Sequence, residues 1–399
     1  MRIHVVGAGW VGLVSAGAFA QYGHEIAVVD SNEERIALLT RGELPFFEAG
    51  LADLLGEGKR QGRFTVSSYA QIPFAPEVVF CCVGTPQGAL GHADVSAVFS
   101  AATWYAEHFP HTLFVVKSTV PPETGKKLSE AFPSLFFATN PEFLAEGTAV
   151  RDALFPARIV CGVEDEQAAE MMKRVYAPWV AREVPLLITD RVTAELAKYA
   201  ANAFLATKIS FVNELSEFAE LLGANMEMVS KSMGFDPRIG AKFLAHGIGY
   251  GGSCFPKDTQ ALLSVAQERG IDLPLVREAE KRNLRQRDRY VQKILHAYEM
   301  QGGRGHVALL GMAYKPGTDD TRSSPAVAIF LRLQQEGVPV KWYDPRVHVY
   351  EGSRGEESVD MACKEAAVVF VATDWPEIET FAKTLPVDRV LWGRARGTL

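Results

Sequence analysis

The first thirteen residues, Met1 to Leu13, read MRIHVVGAGWVGL and carry the pattern that decides the fold of the first domain. A short apolar strand, Ile3 to Val6, leads into a GxGxxG turn, and an apolar-periodic helix continues to about Tyr22. A second strand, Glu25 to Asp30, follows. The glycines of the turn are Gly7, Gly9 and Gly12. Glycines here permit a tight turn, close approach of a pyrophosphate to the helix N-terminus, and close packing of helix on sheet. The stretch therefore predicts a dinucleotide-binding Rossmann unit.

The choice of cofactor depends on the end of the second strand. Asp30 lies where a carboxylate accepts hydrogen bonds from the adenosine ribose, and no arginine follows it immediately. Arg35 lies five residues further on and keeps NADP open as the alternative. We predict NAD.

Two further strands end in polar turns. Val78 to Val83 is followed by Gly-Thr-Pro, and Leu113 to Val116 is followed by Lys-Ser-Thr-Val-Pro. Ligands of an open parallel sheet lie at the carboxyl ends of its strands, so Thr85, Ser118 and Thr119 are candidates to line the nicotinamide side. Ordinary turn chemistry is the alternative explanation for these residues.

The next strand, Phe136 to Ala138, is followed by NPEFLAEG. Glu142 and Glu146 are spaced four apart, which on a helix places both carboxylates on one face. Such a pair is costly unless a cation or ligand lies beside it. Solvated surface acids are the alternative.

A stretch without proline or glycine runs from Thr189-Asp190, which can cap a helix, to Gly223, which can end one. It predicts one helix of about thirty residues, long enough to connect domains and to carry a dimer interface. Lys198 and Asn202 share a face of it, and they offer a positive charge or proton acceptor and an amide for an oxyanion. A shorter helix, Glu227 to Asp236, follows.

The sequence GYGGSCFPKD, from Gly249 to Asp258, places three glycines before a cysteine, and this segment is called the cysteine loop. Pro256 suits the first turn of a helix, so Cys254 is expected at a helix N-terminus. There the helix dipole and Lys257 would favour the thiolate, which indicates a reactive nucleophile. The alternative is a buried structural cysteine beside a glycine turn.

The last third repeats the opening pattern in weaker form. His306 to Leu310 with Gly311 echoes the first strand and its glycine, and Val338 to Asp344 and Val368 to Asp374 echo later strands. A second Rossmann-like unit is expected, with its glycine turn replaced by YKPGTDDTR, which is unable to hold a dinucleotide in the usual way. Before it, a basic run within Glu280 to Tyr298 is most simply a solvated helix face.

Composition bounds these interpretations. A chain of 399 residues is too long for one ordinary core, so two or three domains are expected. A formal charge of −7 argues against nucleic acid or an acidic membrane as the main partner. Five cysteines, an odd number, suit reduced thiols in the cytoplasm. The opening strand leaves no room for a signal peptide, and no apolar run approaches membrane-spanning length. We also predict no metal site.

Taken together, these motifs resemble the UDP-glucose/GDP-mannose dehydrogenase family over nearly the whole chain. Eight blocks match in order: GAGWVGL, VGTP, KSTVP, NPEFLAEG, KYAANAF, RIGAKFL, GYGGSCFPKD and YKPGTDDTR. The closing block of that family, usually Asp-Gly-Arg-Asn, is Trp-Gly-Arg-Ala here, which leaves the role of Arg394 open. The resemblance implies an NAD-dependent, four-electron oxidation of a nucleotide-sugar, with UDP-glucose favoured over GDP-mannose and UDP-N-acetylhexosamines.

The resemblance also implies roles for individual residues. Cys254 would be the catalytic thiol; Lys198, Asn202 and Asp258 would handle protons and the oxyanion, and Glu142 and Thr119 would serve hydrolysis. The implied cofactor-binding residues are Gly7, Gly9, Val11, Gly12, Asp30, Arg35, Thr85, Ser118, Thr119, Glu146, Lys257 and Arg322. The implied substrate-binding residues are Glu142, Phe143, Leu144, Lys198, Asn202, Arg238, Phe243, Tyr250, Gly251 and Lys315. Of these, Arg238 would reach the substrate of a neighbouring subunit.

The expected fold is therefore α/β, with two doubly wound Rossmann-like domains joined by a long central helix and a small helical region. We predict an NAD-binding domain at 1–188, a helical dimerisation region with the cysteine loop at 189–300, and a UDP-sugar-binding domain at 301–399. The protein is expected to be at least a dimer. Rival functions are a two-electron hydroxyacid-type dehydrogenase, which has no use for Cys254, and a catalytically silent NAD-binding sensor.

Overall fold

The computed structural model describes residues 1–88 and 91–394. The chain forms two compact units, Met1–Ala200 and Ala201–Leu399, and the boundary between them falls within one long helix. Within the described residues, no helix is both long enough and apolar enough to span a bilayer.

The described part of the first unit holds one eight-stranded sheet in the order β3-β2-β1-β4-β5-β6-β7-β8. All neighbouring strands are parallel except β6 and β7. The strands are β1 (Arg2–Val6), β2 (Glu25–Val29), β3 (Phe64–Ser67), β4 (Val78–Cys81), β5 (Leu113–Val116), β6 (Phe136–Thr139), β7 (Ile159–Val163) and β8 (Leu186–Thr189). The central strands β4 and β5 are buried along their whole length because helices cover both faces of the sheet.

Helices lie between most successive strands of this unit, as in a doubly wound fold; α2 and α3 both lie between β2 and β3, and β3 leads to β4 without a helix. They are α1 (Trp10–Gln21), α2 (Glu33–Thr40), α3 (Leu51–Arg60), α4 (Ser96–His108), α5 (Thr124–Ala131), α6 (Ala149–Leu154) and α7 (Glu166–Val180). Two clusters of buried apolar side chains fill the space between sheet and helices, one centred on α1 and α7 and the other on α4. The sheet therefore presents the carboxyl ends of six parallel strands, β1 to β6, at one edge.

The long helix α8 (Arg191–Leu222) begins after Asp190, whose carboxylate accepts from the Thr193 N–H at 2.8 Å. It ends before Gly223, which has a φ of +67°. A helix of 32 residues is about 48 Å long. The predicted capping residues and length of this helix are confirmed.

The second unit contains a four-stranded parallel sheet in the order β10-β9-β13-β14 and a small two-stranded ribbon of β11 and β12, counted over its described residues. The strands are β9 (His306–Leu310), β10 (Val340–Tyr343), β11 (Val349–Tyr350), β12 (Ser353–Arg354), β13 (Ala366–Val371) and β14 (Val390–Trp392). The helices are α9 (Met226–Gly234), α10 (Phe255–Glu268), α11 (Pro274–Met300), α12 (Pro325–Gln335), α13 (Val359–Cys363) and α14 (Pro376–Ala382). The expected α/β fold with a second Rossmann-like unit is confirmed.

Candidate active site

The glycine turn of the first unit has the geometry of a dinucleotide cradle. Gly7 has a φ of +98°. A Cβ on Gly12 would lie 1.9 Å from the Gly7 carbonyl oxygen, so only glycine allows α1 to start so close to the turn. A Cβ on Gly9 would meet nothing within 4 Å. Gly9 is the N-cap of α1, so this open space lies where helix N–H groups attract a pyrophosphate, and it fits NAD.

Asp30 closes one side of this turn. Its Oδ2 accepts from the Ala8 N–H at 2.6 Å and its Oδ1 accepts from the Asn32 N–H at 2.8 Å. The guanidinium of Arg35 lies 3.3 Å from Oδ2. Asp30 therefore occupies the predicted place at the end of β2, and the arginine that left NADP open is paired with it. Val11 lies in the first turn of α1.

The hydroxyls predicted to line the nicotinamide side hold neighbouring loops together. Ser118 Oγ donates to the Val83 carbonyl at 2.7 Å, and Thr85 Oγ1 donates to the Thr119 carbonyl at 2.8 Å. Thr85, Ser118 and Thr119 therefore lie side by side at the carboxyl ends of β4 and β5. Contact of these residues with a cofactor stays a prediction.

A buried ion pair joins two of the predicted catalytic residues. Lys198 Nζ lies 2.8 Å from Glu142 Oε1, and both side chains are 4% exposed. Burial alone would raise the pKa of the Glu142 carboxyl, but the Lys198 ammonium, the Leu144 N–H and Lys117 together lower it. The ring of Phe143 lies under both Lys198, at 5.6 Å, and Arg158, at 3.6 Å. The structure thus brings the predicted residues Lys198, Glu142, Phe143 and Leu144 together.

The helical spacing expected for Glu142 and Glu146 is wrong. The segment between β6 and α6 is not helical, because the Leu144 N–H donates to the Glu142 carboxylate at 2.6 Å and Gly147, just before α6, has a left-handed φ of +80°. The cation expected beside the carboxylates is present, as Lys198, but it pairs with Glu142. Both carboxylates are buried, so the alternative of solvated surface acids is also wrong.

Sequence reasoning missed Glu48, a buried carboxylate that ties two parts of this unit together. It accepts from Trp10 Nε1 at 2.9 Å and from the N–H groups of Gly147 and Ala149 at 2.8 and 2.9 Å. Trp10 follows the glycine turn, and Gly147 follows Glu146. The only signal was an acid in a loop far from both, so the pattern did not indicate it.

In the second unit, Cys254 is the N-cap of α10, which agrees with its predicted place at a helix N-terminus. Its side chain is partly buried. Asp258, one turn later, is 1% exposed. Its Oδ2 accepts from Asn202 Nδ2 and its Oδ1 from Lys257 Nζ, each at 2.6 Å. Asn202, Lys257 and Asp258 thus form one hydrogen-bonded group on the first turn of the helix that Cys254 caps.

Glycine is needed in the cysteine loop for two different reasons. Gly249 and Gly252 have φ values of +106° and +83°, as expected. Gly251 does not have a positive φ, but its Cβ would lie 2.4 Å from the Ser323 carbonyl oxygen. Gly252 N–H also donates to the Arg322 carbonyl at 3.0 Å. The cysteine loop is therefore packed against the YKPGTDDTR segment.

Helix α11 clamps the same loop, and sequence reasoning missed this. Asn283 accepts from the Tyr250 N–H at 2.7 Å and donates to the Tyr250 carbonyl at 3.0 Å. Gln286 donates to the Gly247 carbonyl at 2.7 Å, and Arg287 donates to the Tyr250 carbonyl at 3.2 Å. These contacts fix the backbone at two points, four and seven residues before Cys254.

The expectation that the basic run on this helix is a solvated face is wrong for part of it. Arg282 and Arg289 have side chains only 12% and 16% exposed, and they pair with Glu217 and Glu220 on α8. Lys281 is exposed, as expected. The misread arginines lie on the turns of α11 that face α8.

The remaining predicted substrate residues, and Arg322, which was predicted to bind the cofactor, lie around the loop or on the surface of the second unit. Tyr250 is buried, Phe243 has a φ of +66° and packs on Phe255, and Lys315 lies over the Tyr314 ring at 5.4 Å. Arg322 makes a bidentate pair with Asp320, and Arg238 pairs with Asp236. Arg394 donates to the Tyr314 carbonyl at 2.6 Å, next to the loop, while Ala395 of the altered closing block lies outside the described residues.

Comparison with known proteins identifies the family. Residues 1–180, 192–285 and 308–391 match the NAD binding, central and UDP binding domains of the UDP-glucose/GDP-mannose dehydrogenase family. UDP-glucose 6-dehydrogenase of Rhizobium meliloti is 40% identical over 98% of this chain and 92% of its own length.

Comparison with solved structures identifies the same family. A UDP-glucose dehydrogenase from Pyrobaculum islandicum superposes with a TM-score of 0.91 at 35% identity, over 99% of this chain and 94% of that one. A UDP-D-ManNAc dehydrogenase from Pyrococcus horikoshii gives 0.87 at 29% identity, over 99% and 95%. The chain therefore belongs to the UDP-glucose/GDP-mannose dehydrogenase family, and its first unit contains that family's NAD-binding domain.

Proposed function

We propose that this chain oxidises UDP-glucose to UDP-glucuronate with NAD, through a thioester on Cys254. The observation that carries the proposal is the position of Cys254 as the N-cap of α10, in a loop fixed by Asn283 and Gln286. A two-electron dehydrogenase has no use for a thiol held in this way. Relatives about 40% identical over nearly the whole chain bear the name UDP-glucose 6-dehydrogenase, which supports the choice of substrate.

The chemistry needs a thiol because a primary alcohol loses four electrons on becoming an acid. NAD, when bound, accepts one hydride, so two molecules are consumed per substrate. Loss of the hydroxyl proton and a first hydride turns the primary alcohol into an aldehyde. The Cys254 thiolate adds to the carbonyl carbon of this aldehyde, forming a C–S bond and a thiohemiacetal whose oxygen takes up a proton. Loss of that proton and a second hydride leaves a thioester. Water then breaks the C–S bond, releasing the carboxylate and the thiolate.

The polar residues of the two units divide the remaining tasks. Lys198 and Asn202 stabilise the oxyanions, and Asp258 holds Asn202 in the orientation for this. Glu142 accepts a proton from the hydrolytic water, and Thr119 assists it. The pairing of Lys198 with Glu142 supports these roles, because it keeps the carboxylate ionised and able to accept that proton.

Binding follows the three-part organisation of 1–188, 189–300 and 301–399. The cofactor is held by the glycine turn, Asp30 and Arg35, and by Thr85, Ser118, Thr119, Glu146, Lys257 and Arg322. The nucleotide-sugar is held by Phe143, Leu144, Phe243, Tyr250, Gly251 and Lys315, together with the catalytic residues. The enzyme acts in the cytoplasm, and cell fractionation tests that location.

The test of the reaction is the amount of NADH released per nucleotide-sugar across a panel of substrates. UDP-glucose should give two NADH per molecule and the highest kcat/KM. One NADH per molecule would identify a two-electron dehydrogenase, and no turnover of any substrate would identify a silent NAD-binding protein. A higher kcat/KM with GDP-mannose or a UDP-N-acetylhexosamine would keep the chemistry and change the substrate.

The protein is at least a dimer, formed through an apolar stripe on α8. Phe204, Phe211 and Phe218 repeat every seven residues and are 65%, 48% and 58% exposed. Leu221 and Leu222 extend the stripe with 82% and 65% exposure. An apolar row of this length on one helix face is typical of a helix that packs against another copy. Arg238, whose side chain is 87% exposed, then reaches the substrate of the neighbouring subunit.

Changing Phe211 and Phe218 together to Glu should convert the protein to a monomer in sedimentation and lower its activity. Phe155→Glu is the matched control, because Phe155 is 63% exposed in the first unit, outside the stripe. A double variant that sediments like the wild type would exclude this interface.

A further inference from the structure

Glu195 is a buried carboxylate with no task in the chemistry above. It lies on α8, one turn before Lys198, and is 2% exposed. A buried carboxylate is costly unless donors satisfy it, so its contacts indicate what it does.

Both oxygens of Glu195 accept hydrogen bonds from the start of α5. Oε2 accepts from the Glu123 N–H at 2.6 Å, and Oε1 accepts from the Gly125 N–H at 2.8 Å. The Thr139 hydroxyl donates to Oε1 at 3.3 Å. Glu123 has a φ of +76°, an uncommon conformation for a residue with a side chain, so the backbone here needs such support. Glu195 thus fixes the end of the loop that joins β5 to α5.

The loop between β5 and α5 carries Ser118 and Thr119. These two residues are also held from the opposite direction, by hydrogen bonds to the turn after β4. Ser118 donates to the Val83 carbonyl, and Thr85 donates to the Thr119 carbonyl. The loop is therefore held between the turn after β4 and the helix that carries Lys198. Loss of the Glu195 contacts would weaken the second of these attachments, to which Arg191 of the same helix also contributes by donating to the Gly125 carbonyl at 3.1 Å.

We propose that Glu195 is a positioning residue that holds the Ser118–Thr119 loop in place relative to Lys198. The proposal rests on the proposed oxidation of a nucleotide-sugar, because activity reports where the loop lies. It assigns Glu195 no contact with substrate or cofactor.

The charge state of Glu195 gives this role a pH signature. Burial raises the pKa of Glu195 to about 7, although the amides of Gly125 and Glu123, the Thr139 hydroxyl and the coulombic effect of Arg191 act to lower it. From α8 itself, the charged group that faces Glu195 is Arg191. The Arg191 guanidinium donates to the Gly125 carbonyl at 3.1 Å and pairs with Glu164, which follows β7. From β6 and α5 the groups facing the carboxylate are the Thr139 hydroxyl and backbone amides.

Protonation turns one accepting oxygen into a hydroxyl, which is a weaker acceptor, so one of the two amide hydrogen bonds weakens below about pH 7. The free energy of unfolding changes in the opposite direction, because protonation of Glu195 increases it. The folded-state pKa lies above the unfolded value, so this group favours folding more strongly as the pH falls from about 7 toward 4.5. Activity should therefore fall with pH through this range without a matching loss of stability from Glu195.

The experiment compares Glu195→Gln with the wild type and with Glu130→Gln, an exposed glutamate on α5 that controls for the loss of charge. In Glu195→Gln, kcat should fall about tenfold at pH 8.5, because a small misplacement of a reacting group has an effect of this size. The KM values for NAD and UDP-glucose should stay within about threefold, and the thermal midpoint within about 2 °C. The loss of activity below pH 7 should be weaker in this variant than in the wild type.

Thr139→Val supplies a second test that keeps the carboxylate. Removing one hydrogen-bond donor should raise the pKa of Glu195, so the fall in kcat should move to higher pH while kcat at high pH is unchanged. Hydrogen exchange at the Glu123 and Gly125 amides reports the same contacts without substrate. In Glu195→Gln, protection of at least one of these amides should fall about tenfold or more.

The outcomes separate the two proposals. If the wild type released no NADH with any nucleotide-sugar, the proposed function would fail, and amide exchange would still decide the contacts of Glu195. If Glu195→Gln matched the wild type in kcat, pH profile and exchange, the positioning role would be wrong. A fall in kcat, both affinities and the thermal midpoint together would show a purely structural role and would also overturn it.

Discussion

The two Rossmann-like units have the same glycine turn after their first strand, but they differ in which groups pair with the turn amides and in where the next helix begins. Gly7 and Gly311 follow the first strand of each unit with φ values of +98° and +94°. The Gly7 N–H donates to the Val29 carbonyl at 2.8 Å, and the Gly311 N–H donates to the Tyr343 carbonyl at 2.7 Å. Val29 and Tyr343 are the last residues of the neighbouring strands β2 and β10. An aspartate ends or follows that strand in both units, as Asp30 and Asp344. The same backbone pattern therefore occurs twice in the chain.

Asp344 satisfies more donors than Asp30 does. Its Oδ2 accepts from the N–H groups of Met312 and Ala313, at 2.7 and 3.0 Å, and from Trp375 Nε1 at 3.3 Å. Its Oδ1 accepts from the N–H groups of Arg346 and Val347. The turn amides of the second unit are thus paired within the protein.

The helix that follows the turn also differs. Helix α1 begins at Trp10, three residues after Gly7, whereas α12 begins at Pro325, fourteen residues after Gly311. The intervening segment of the second unit is YKPGTDDTR and its neighbours, which pack against the cysteine loop. The comparison teaches that a strand and a glycine are not enough for a dinucleotide site, because the helix N-terminus must lie at the turn.

The largest effect should come from removing the aspartate of the closed turn. Asp344→Ala leaves four buried donors and one partly buried donor, the Arg346 N–H, without this partner, so the free energy of unfolding of the second unit should fall by about 3 kcal/mol or more. NAD affinity should be unchanged. Chemical denaturation measures the first quantity, and fluorescence titration the second. A loss of NAD affinity without loss of stability would mean that the second turn takes part in cofactor binding.

The open turn should respond in the opposite manner. Gly9→Ala introduces a methyl group where nothing lies within 4 Å, so stability should be unchanged. The methyl group would meet the bound pyrophosphate, raising the KM for NAD by about thirtyfold, or about 2 kcal/mol. Gly56→Ala is the matched control, because Gly56 lies within α3, has no positive φ, and its Cβ would meet only the Arg60 guanidinium, at 3.6 Å. An unchanged KM for NAD in Gly9→Ala would move the pyrophosphate away from this turn.

The smallest effect should be on cofactor selectivity. Asp30→Asn removes the charge that repels a 2′-phosphate and releases Arg35, so the preference for NAD over NADP should fall about fivefold, or about 1 kcal/mol. Kinetics with both cofactors measure it. If the wild type used both with equal efficiency, the assignment of Asp30 to the ribose would be wrong.

Local patterns predicted most of the first unit and the ends of the long helix. The glycine turn, Asp30 and the N-cap position of Cys254 all follow from neighbouring residues in sequence, as do the strands β1, β2, β4, β5 and β6. The strands β3, β7 and β8 were not predicted. The second Rossmann-like unit was also predicted, from the echo of its strands. The pairing of the turn amides with Asp344 was not, because it depends on the side-chain conformation.

Contacts between distant segments were not predictable from one sequence. Lys198 and Glu142 lie 56 residues apart, and their ion pair exists because α8 passes the end of β6. Asn283 and Arg287 lie within a basic run, whose composition is the same for a solvated helix and for one that clamps a loop. The sequence showed Glu48 only as an acid in a loop, because its three donors come from two other segments.

The central claim, a thioester on Cys254, is tested most directly by intact-protein mass after mixing Glu142→Gln with UDP-glucose and NAD. This variant should retain both hydride transfers but slow the attack of water, so a burst approaching two NADH per active site should be followed by near arrest. The mass should rise by one UDP-glucuronosyl acyl group, and adding Cys254→Ala should abolish both the adduct and the second hydride transfer. Steady turnover of Glu142→Gln without a mass increase would exclude Glu142 from hydrolysis. Acid formation by Cys254→Ala at a near-normal rate would contradict the mechanism itself.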